Sequence, residues 1–168
     1  MNCFLDRDGV FNIDYPYVGT INRFVWYEEI IPILLRLKSL GYRFILVTNQ
    51  SGIARNYFTI NDFFELSFWM FDLLSKHNID LEVSFCPHAK DAGCRCRKPR
   101  TGMIDKYTIT SSDILIGDKD TDMIAAYLSG IPNRWLLGSI VDCPFTNHFR
   151  THKDLLNSLD DEKLLNKI

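Results

Sequence analysis

The stretch Phe4-Leu5-Asp6-Arg7-Asp8-Gly9-Val10 decides how the remainder of the chain is read. It opens on apolar residues suited to a buried strand, then sets two carboxylates two positions apart and follows them with glycine. Extended backbone alternates its side chains, so Asp6 and Asp8 are expected on one face and Arg7 on the other. Gly9 lets the chain leave the strand in a conformation that a β-carbon resists. Two carboxylates at a strand's C-terminal end suit a nucleophile with an acid/base partner, or a site for a hard cation. A strand running into a solvated acidic turn would look the same over these seven residues. The surrounding sequence has to decide.

Outward from that stretch, strands and helices alternate. Residues 11–25 read as a loop containing Tyr15-Pro16-Tyr17 and Gly19. Residues 28–40 follow as a helix, with Pro32 in the first turn, Ile33, Leu34, Leu37 and Leu40 at helical spacing, and Gly41 as a stop. Residues 43–47 form a strand that ends in Thr48-Asn49-Gln50-Ser51-Gly52. A second helix, capped by Thr59 or Asn61, runs to about His77 and is dense in aromatic residues, expected in a core or a subunit contact. Residues 81–85 give a third strand. A polar stretch leads through 89–102 into a short helical segment ending near Tyr107. Residues 113–117 are a strand ending at Asp118, 119–129 a helix and 134–137 a last strand. Residues 138–152 carry little signal, and 153–165 read as a closing helix. The alternation predicts right-handed βαβ units and a three-layer α/β/α Rossmann-like parallel sheet. Ligands of such sheets bind outside the carboxyl ends of the strands, where Asp6, Asp8, Thr48 and Asp118 all fall. That convergence favours chemistry over the solvated turn.

The bulk numbers set bounds. With 168 residues, 46% hydrophobic and 24% charged, the chain reads as one domain over residues 1–168, able to bury a core without covalent staples. A net charge of −2 argues against a nucleic-acid surface. No basic leader with a long apolar run precedes the first acidic residues, and nothing approaches a membrane span. The expectation is a cytoplasmic monomer with no membrane or nucleic-acid partner.

Asp6, Asp8 and Asp118 form a set of hard oxygen ligands suited to Mg²⁺. Lys98, beside Arg97 and Pro99, adds fixed positive charge, and Thr48 with the N–H groups of residues 49–52 adds neutral donors. Together these suit phosphoryl transfer, in which negative charge spreads over equatorial oxygens. The run Asp118-Lys119-Asp120-Thr121-Asp122 also resembles the start of a calcium loop. An EF-hand, however, needs glycine and glutamate where Met123 and Ser129 stand. Asp120 is then a helix N-terminal acid and Asp122 a supporting carboxylate. Cys86, His88, Cys94 and Cys96 fall within eleven residues and fit a closed Cys₃His zinc site, the zinc loop at 86–96; free thiols or a redox pair are the alternatives. Such a site would hold the segment that carries Arg97 and Lys98. His77, His148 and His152 lack a partner pattern and are expected at the surface.

Asp6-Arg7-Asp8-Gly9, Thr48-Asn49-Gln50-Ser51-Gly52-Ile53, Cys86-Pro87-His88 with Cys94-Arg95-Cys96-Arg97-Lys98-Pro99, and Gly117-Asp118-Lys119 together resemble the haloacid-dehalogenase-like (HAD-like) phosphatases. Within them the likeness is to the histidinol-phosphatase/heptose-bisphosphatase branch, over about residues 4–130. The resemblance implies a HAD-like fold without a large cap domain. It implies Asp6 as nucleophile and Asp8 as acid/base, with Thr48 and Lys98 stabilising the transferring phosphoryl group. Catalytic Mg²⁺ would be held by Asp6, the Asp8 carbonyl and Asp118, and structural Zn²⁺ by Cys86, His88, Cys94 and Cys96. Substrate contacts would come from Asp14, Tyr15, Pro16, Tyr17, Asn49, Gln50, Ser51, Arg97 and Lys119. The implied substrate is a small sugar phosphate, a heptose bisphosphate, with histidinol phosphate or another small phosphate ester as the alternative. Two departures stand out: a short loop between His88 and Cys94, and Asn56 where heptose enzymes often carry glycine after Ile-Ala-Arg. The segments 48–55 and 14–18 resemble the heptose enzymes.

Overall fold

The computed structural model describes residues 1–160. Its strands are β1 (Asn2–Leu5), β2 (Arg43–Asn49), β3 (Leu81–Cys86), β4 (Ile114–Gly117), β5 (Asn133–Leu137) and β6 (Asn147–Phe149). Its helices are α1 (Ile30–Ser39), α2 (Ile60–Ser75), α3 (Asp120–Leu128) and α4 (His152–Ser158), and Ile21–Arg23 adds one 3₁₀ turn. The strands make one sheet in the order β3-β2-β1-β4-β5-β6, parallel throughout. Leu5 of β1 stands between Leu46 of β2 and Ile116 of β4.

Alternation along the strands divides the core into two. Cys3, Leu5, Phe44, Leu46, Ile114 and Ile116 face the cluster that contains Ile33, Leu34 and Leu37 of α1, Leu66, Met70 and Leu74 of α2, and Leu155 of α4. Phe4, Ile45, Val47 and Leu115 face Met123, Ala125 and Ala126 of α3 with Met103 and Ile104. The three layers follow from the two-residue period of the strands. Each buried aliphatic side chain contributes about 1.5–3 kcal/mol relative to exposure. The second face is covered by α3 and by turns around 101–107, where the sequence suggested a short helix.

Several expectations shift. The aromatic richness of α2 is divided: Phe63 is fully buried, whereas Phe68 is 65% exposed. A capping box between Thr59 and Asp62 starts that helix, settling the choice between Thr59 and Asn61. The weak stretch after Gly138 contains β6, a three-residue edge strand too short to show alternation. The closing helix starts one residue earlier than expected, behind Thr151, and runs to Ser158. The part of that expectation beyond residue 160 lies outside the described residues. The longest connections, 6–29 and 87–113, form no cap among the described residues. No described helix is long and apolar enough to cross a membrane.

Candidate active site

The strand order sets the site. From β1 the chain winds outward to β3, then returns to β4 on the other side of β1. The loops that leave β1 and β4 therefore part company, and a crevice opens at the carboxyl end of the sheet. Asp6 follows β1 and Asp118 follows β4; the Asp6 amide donates to the Ile116 carbonyl at 3.0 Å, fastening the two ends. Gly9 takes a φ of +87°, and a β-carbon there would collide with the Asp118 carboxylate. Lys98, two residues past Cys96, buries its ammonium 3.0 Å from Asp6 Oδ1 and 2.6 Å from Asp122 Oδ1. It also donates to the Val47 carbonyl. Burial works against that charge, but Asp122 and Asp6 more than offset it and hold the ammonium above its ordinary range.

Carboxylate oxygens of Asp6, Asp118 and Asp122 lie within 4.8 Å of one another. Asp118 Oδ1 is buried with no hydrogen-bond partner among the described residues. Burial first, and the Asp6 charge next, push the Asp118 carboxyl up to about 8, against the pull of Lys119. Crowded carboxylates with an unsatisfied buried oxygen are a donor set that a hard divalent cation fits. Asp122, read as a supporting carboxylate, belongs to this cluster itself.

Asp8 lines the same cavity as Asp6, as the alternation of the strand suggested. Arg7 does not simply point away. It is fully buried, folds back to Asp8 Oδ1 at 3.0 Å, and donates to the Val18 carbonyl. Asn12 and Gln50 also donate to Asp8, each at 3.0 Å. Gln50 donates again to Thr48 Oγ1 at 2.8 Å, so one amide joins Asp8 to Thr48. Asn49 clamps the Lys98 backbone: its Oδ1 accepts from the Lys98 amide at 3.0 Å, and its Nδ2 donates to the Lys98 carbonyl at 3.1 Å. Asn49 and Gln50 thus hold catalytic candidates in place through their side chains, although both also line the cavity.

The cavity has a volume of about 620 Å³, the size of a small-molecule site. Asp14, Pro16, Tyr17, Ser51, Arg97 and Lys119, the residues named above for substrate contact, line it. Tyr15 is 45% exposed and does not line it, and Thr48 is buried behind Gln50. Asp118 opens instead onto a neighbouring cavity. Lys119 pairs with Asp14 at 2.8 Å, joining the loop after β1 to the start of α3 across the rim. The structure adds Lys90 and Arg100, basic residues of the zinc-loop region that sequence reasoning passed over. Their signal was position: Lys90 lies inside the Cys-His loop and Arg100 shortly after it.

Around that cluster, Cys86 Sγ lies 3.6 Å from Cys94 Sγ and 3.5 Å from His88 Nδ1, and His88 Nδ1 lies 3.2 Å from Cys96 Sγ. All four ligand atoms fall within 4.8 Å of one another. Ligands about 2.0–2.3 Å from a tetrahedral zinc stand roughly 3.3–3.8 Å apart, so the set fits that ion. No disulfide joins these cysteines. Of the histidines expected at the surface, His77 is exposed, His148 is half-buried and donates its Nε2 proton to the Gly138 carbonyl at 2.7 Å, and His152 is buried. His152 was misread because a lone histidine before an unremarkable helix shows nothing of what packs over it.

The chain matches the family model described as Polynucleotide kinase 3 phosphatase over residues 17–127. It is 41% identical to the D-glycero-beta-D-manno-heptose-1,7-bisphosphate 7-phosphatase of Haemophilus influenzae, over 73% of each chain. It is 39% identical to a D-glycero-alpha-D-manno-heptose-1,7-bisphosphate 7-phosphatase of Photorhabdus laumondii, over 80% of each. Among solved structures, the D,D-heptose 1,7-bisphosphate phosphatase of B. bronchiseptica, complexed with magnesium and phosphate, superposes with a TM-score of 0.81 at 26% identity, covering 99% of both chains.

Proposed function

From a chain that belongs to the heptose-1,7-bisphosphate 7-phosphatase family of HAD-like phosphatases, we infer the activity itself: it removes the 7-phosphate from a D-glycero-D-manno-heptose 1,7-bisphosphate. The observation that carries the reading is that Asp6, Asp8 and Lys98 share one cavity at the switch between β1 and β4, with Asp118 crowded against Asp6 from the adjoining one. Asp6 Oδ attacks the phosphorus of the 7-phosphate, and the bond from phosphorus to the sugar oxygen breaks. Asp8 gives its proton to that leaving oxygen. A water then attacks the phospho-aspartate and passes a proton to Asp8, and the bond from phosphorus to Asp6 breaks to release phosphate. Lys98 faces the charge that builds on the equatorial oxygens, and Thr48, buried behind Gln50, holds the Gln50 amide that also binds Asp8. Asp6, Asp118 and the Asp8 carbonyl would hold Mg²⁺, which supplies charge neutralisation of the phosphoryl group when bound. Arg97, Lys119, Asp14, Tyr17 and Ser51 are the residues we assign to the sugar and its second phosphate.

Zinc at Cys86, His88, Cys94 and Cys96 would have no open position and so a structural role. We read the protein as a cytoplasmic monomer in the supply of nucleotide-activated heptose for surface glycans. The free thiols agree with a reducing compartment. The test is phosphate release from both anomers of the heptose bisphosphate and from histidinol phosphate, with and without Mg²⁺, using Asp6→Asn as the blank. Relatives named for each anomer match almost equally, so both anomers belong in the panel. Magnesium-dependent release from a heptose bisphosphate is expected, reduced by at least about 10³-fold in Asp6→Asn. Turnover of histidinol phosphate alone would overturn the substrate.

A further inference from the structure

The turn Asp8-Gly9-Val10 has to keep the Asp8 carboxyl at the cavity, yet it is a loop. Three contacts hold it. The Arg7 carbonyl accepts from the amides of Val10, Phe11 and Asn12 at 3.2, 2.8 and 3.3 Å. Gly9 packs directly against the Asp118 side chain. The third contact comes from outside the site: His152 Nε2 lies 2.9 Å from the Val10 carbonyl, across 142 positions of sequence. As the carbonyl can only accept, the Nε2 proton is donated to it. The imidazole is 8% exposed and stacks on Tyr27, with ring centroids 3.7 Å apart and planes 20° apart. Tyr27 in turn donates its amide to the Phe11 carbonyl at 3.0 Å, closing a frame around the turn.

We propose that His152 is a positioning residue for the phosphatase reaction, fixing the Asp8-Gly9-Val10 turn from the first turn of α4. The proposal rests on the phosphatase reading above. Packing alone would explain the stacked ring but not the directed bond. Beside the turn lies a cavity of about 450 Å³, lined by Gly9, Asp118, Tyr27 and His152 among others. Without the bond to Val10 the turn has free volume to move into, and a misplacement of about 1 Å at reacting groups can cost about 10²-fold in rate, so a smaller one should cost less. Burial also keeps the imidazole below its ordinary range, favouring the neutral ring with one proton to donate.

Three variants test this. His152→Phe keeps a ring against Tyr27 and removes the donor. His152→Gln restores a side-chain N–H. Leu155→Ala loosens the packing of α4 while leaving the His152 to Val10 hydrogen bond in place. His152→Phe should lower kcat about tenfold with KM changed less than about twofold, and His152→Gln should recover most of the loss. In the metal-free protein, amide exchange over residues 7–12 should quicken in His152→Phe and return towards wild type in His152→Gln. Leu155→Ala should lower the thermal midpoint and leave kcat intact below it. Wild-type kcat and exchange in His152→Phe, no rescue by glutamine, or an equal kcat loss in Leu155→Ala would each overturn the positioning role. Should wild-type protein hydrolyse none of the esters, the phosphatase reading falls by itself, and the exchange comparison still decides whether His152 fixes the turn.

Discussion

Lys98 holds one cation against two anions, Asp6 and Asp122, in a place that water hardly reaches. In the proposed reaction such a lysine would orient Asp6 before substrate arrives and meet the phosphoryl charge afterwards. Lys98→Met keeps the length of the side chain and removes the charge, leaving two buried carboxylates face to face. Removing one partner of a buried ion pair costs about 3–5 kcal/mol, and losing the donor should lower kcat about 10²–10³-fold. Thermal denaturation with and without Mg²⁺ checks the first part, since a divalent cation near Asp6 should return some of the lost stability. Full stability and turnover in Lys98→Met would sink the assignment. At this scale the charged residues that the structure brings together were legible, because Asp6, Asp8 and Asp118 follow the ends of strands and Lys98 follows the Cys-His cluster. Their supports were not. Arg7 looked outward by strand alternation, yet it folds back onto Asp8. Asn49 and Gln50 looked like substrate ligands, yet their amides clamp Lys98 and bridge Asp8 to Thr48. An amide's partner is a matter of tertiary geometry that no local pattern records.

Among the elements, the seam between β1 and β4 matters most, because the catalytic ends of both strands are only as well placed as the strands themselves. At the far end of that seam Asp113 is fully buried and accepts from the Asn2 amide at 2.7 Å, from Asn2 Nδ2 at 2.8 Å and from Thr110 Oγ1 at 2.8 Å. Burial opposes its charge, but these hydrogen bonds outweigh burial and hold the carboxyl below its ordinary range. A depressed carboxyl stabilises the fold fully above its unfolded value of 3.8, and that contribution is lost as pH falls through the lower folded value. Asp113→Ala strands buried donors and should cost on the order of 3 kcal/mol near neutral pH. The gap between the two proteins should close below about pH 4, measured as the difference in denaturant midpoint. A gap that stays constant down to pH 2.5 or so would show that the clamp is not what the carboxylate contributes. The long elements of the fold were legible because strand and helix periods repeat over enough residues to declare themselves. β6 was not, with three residues and no alternation to read, nor were the turns around 101–107, where Met103 and Ile104 fill the core without a helix.

Over the molecule as a whole, two clusters of ligating side chains stand on either side of a single short link. Cys96 ends one, and Arg97 and Lys98 enter the other directly after it. The backbone ties them further: the Gln50 amide donates to the Cys86 carbonyl at 2.7 Å, and the Ala54 amide to the Pro87 carbonyl at 3.2 Å. Disorder in the Cys-His loop would therefore reach both Lys98 and the turn that carries Gln50. Zinc held by four ligands is expected to act on catalysis only by keeping that loop in register. The purified protein should carry one zinc per chain by elemental analysis. Cys94→Ser should lose that zinc, lower the thermal midpoint and reduce kcat even at saturating Mg²⁺. The decisive comparison is between the two metals. Removing Mg²⁺ alone should abolish turnover and leave the midpoint within a few degrees, because its site is formed by strand ends already packed in the sheet. Removing zinc should move both together, because the residues between Cys86 and Lys98 have little hydrophobic core of their own. If zinc-free protein keeps its midpoint and its turnover, the cluster is a set of thiols beside the site and not the support that holds Lys98 in it.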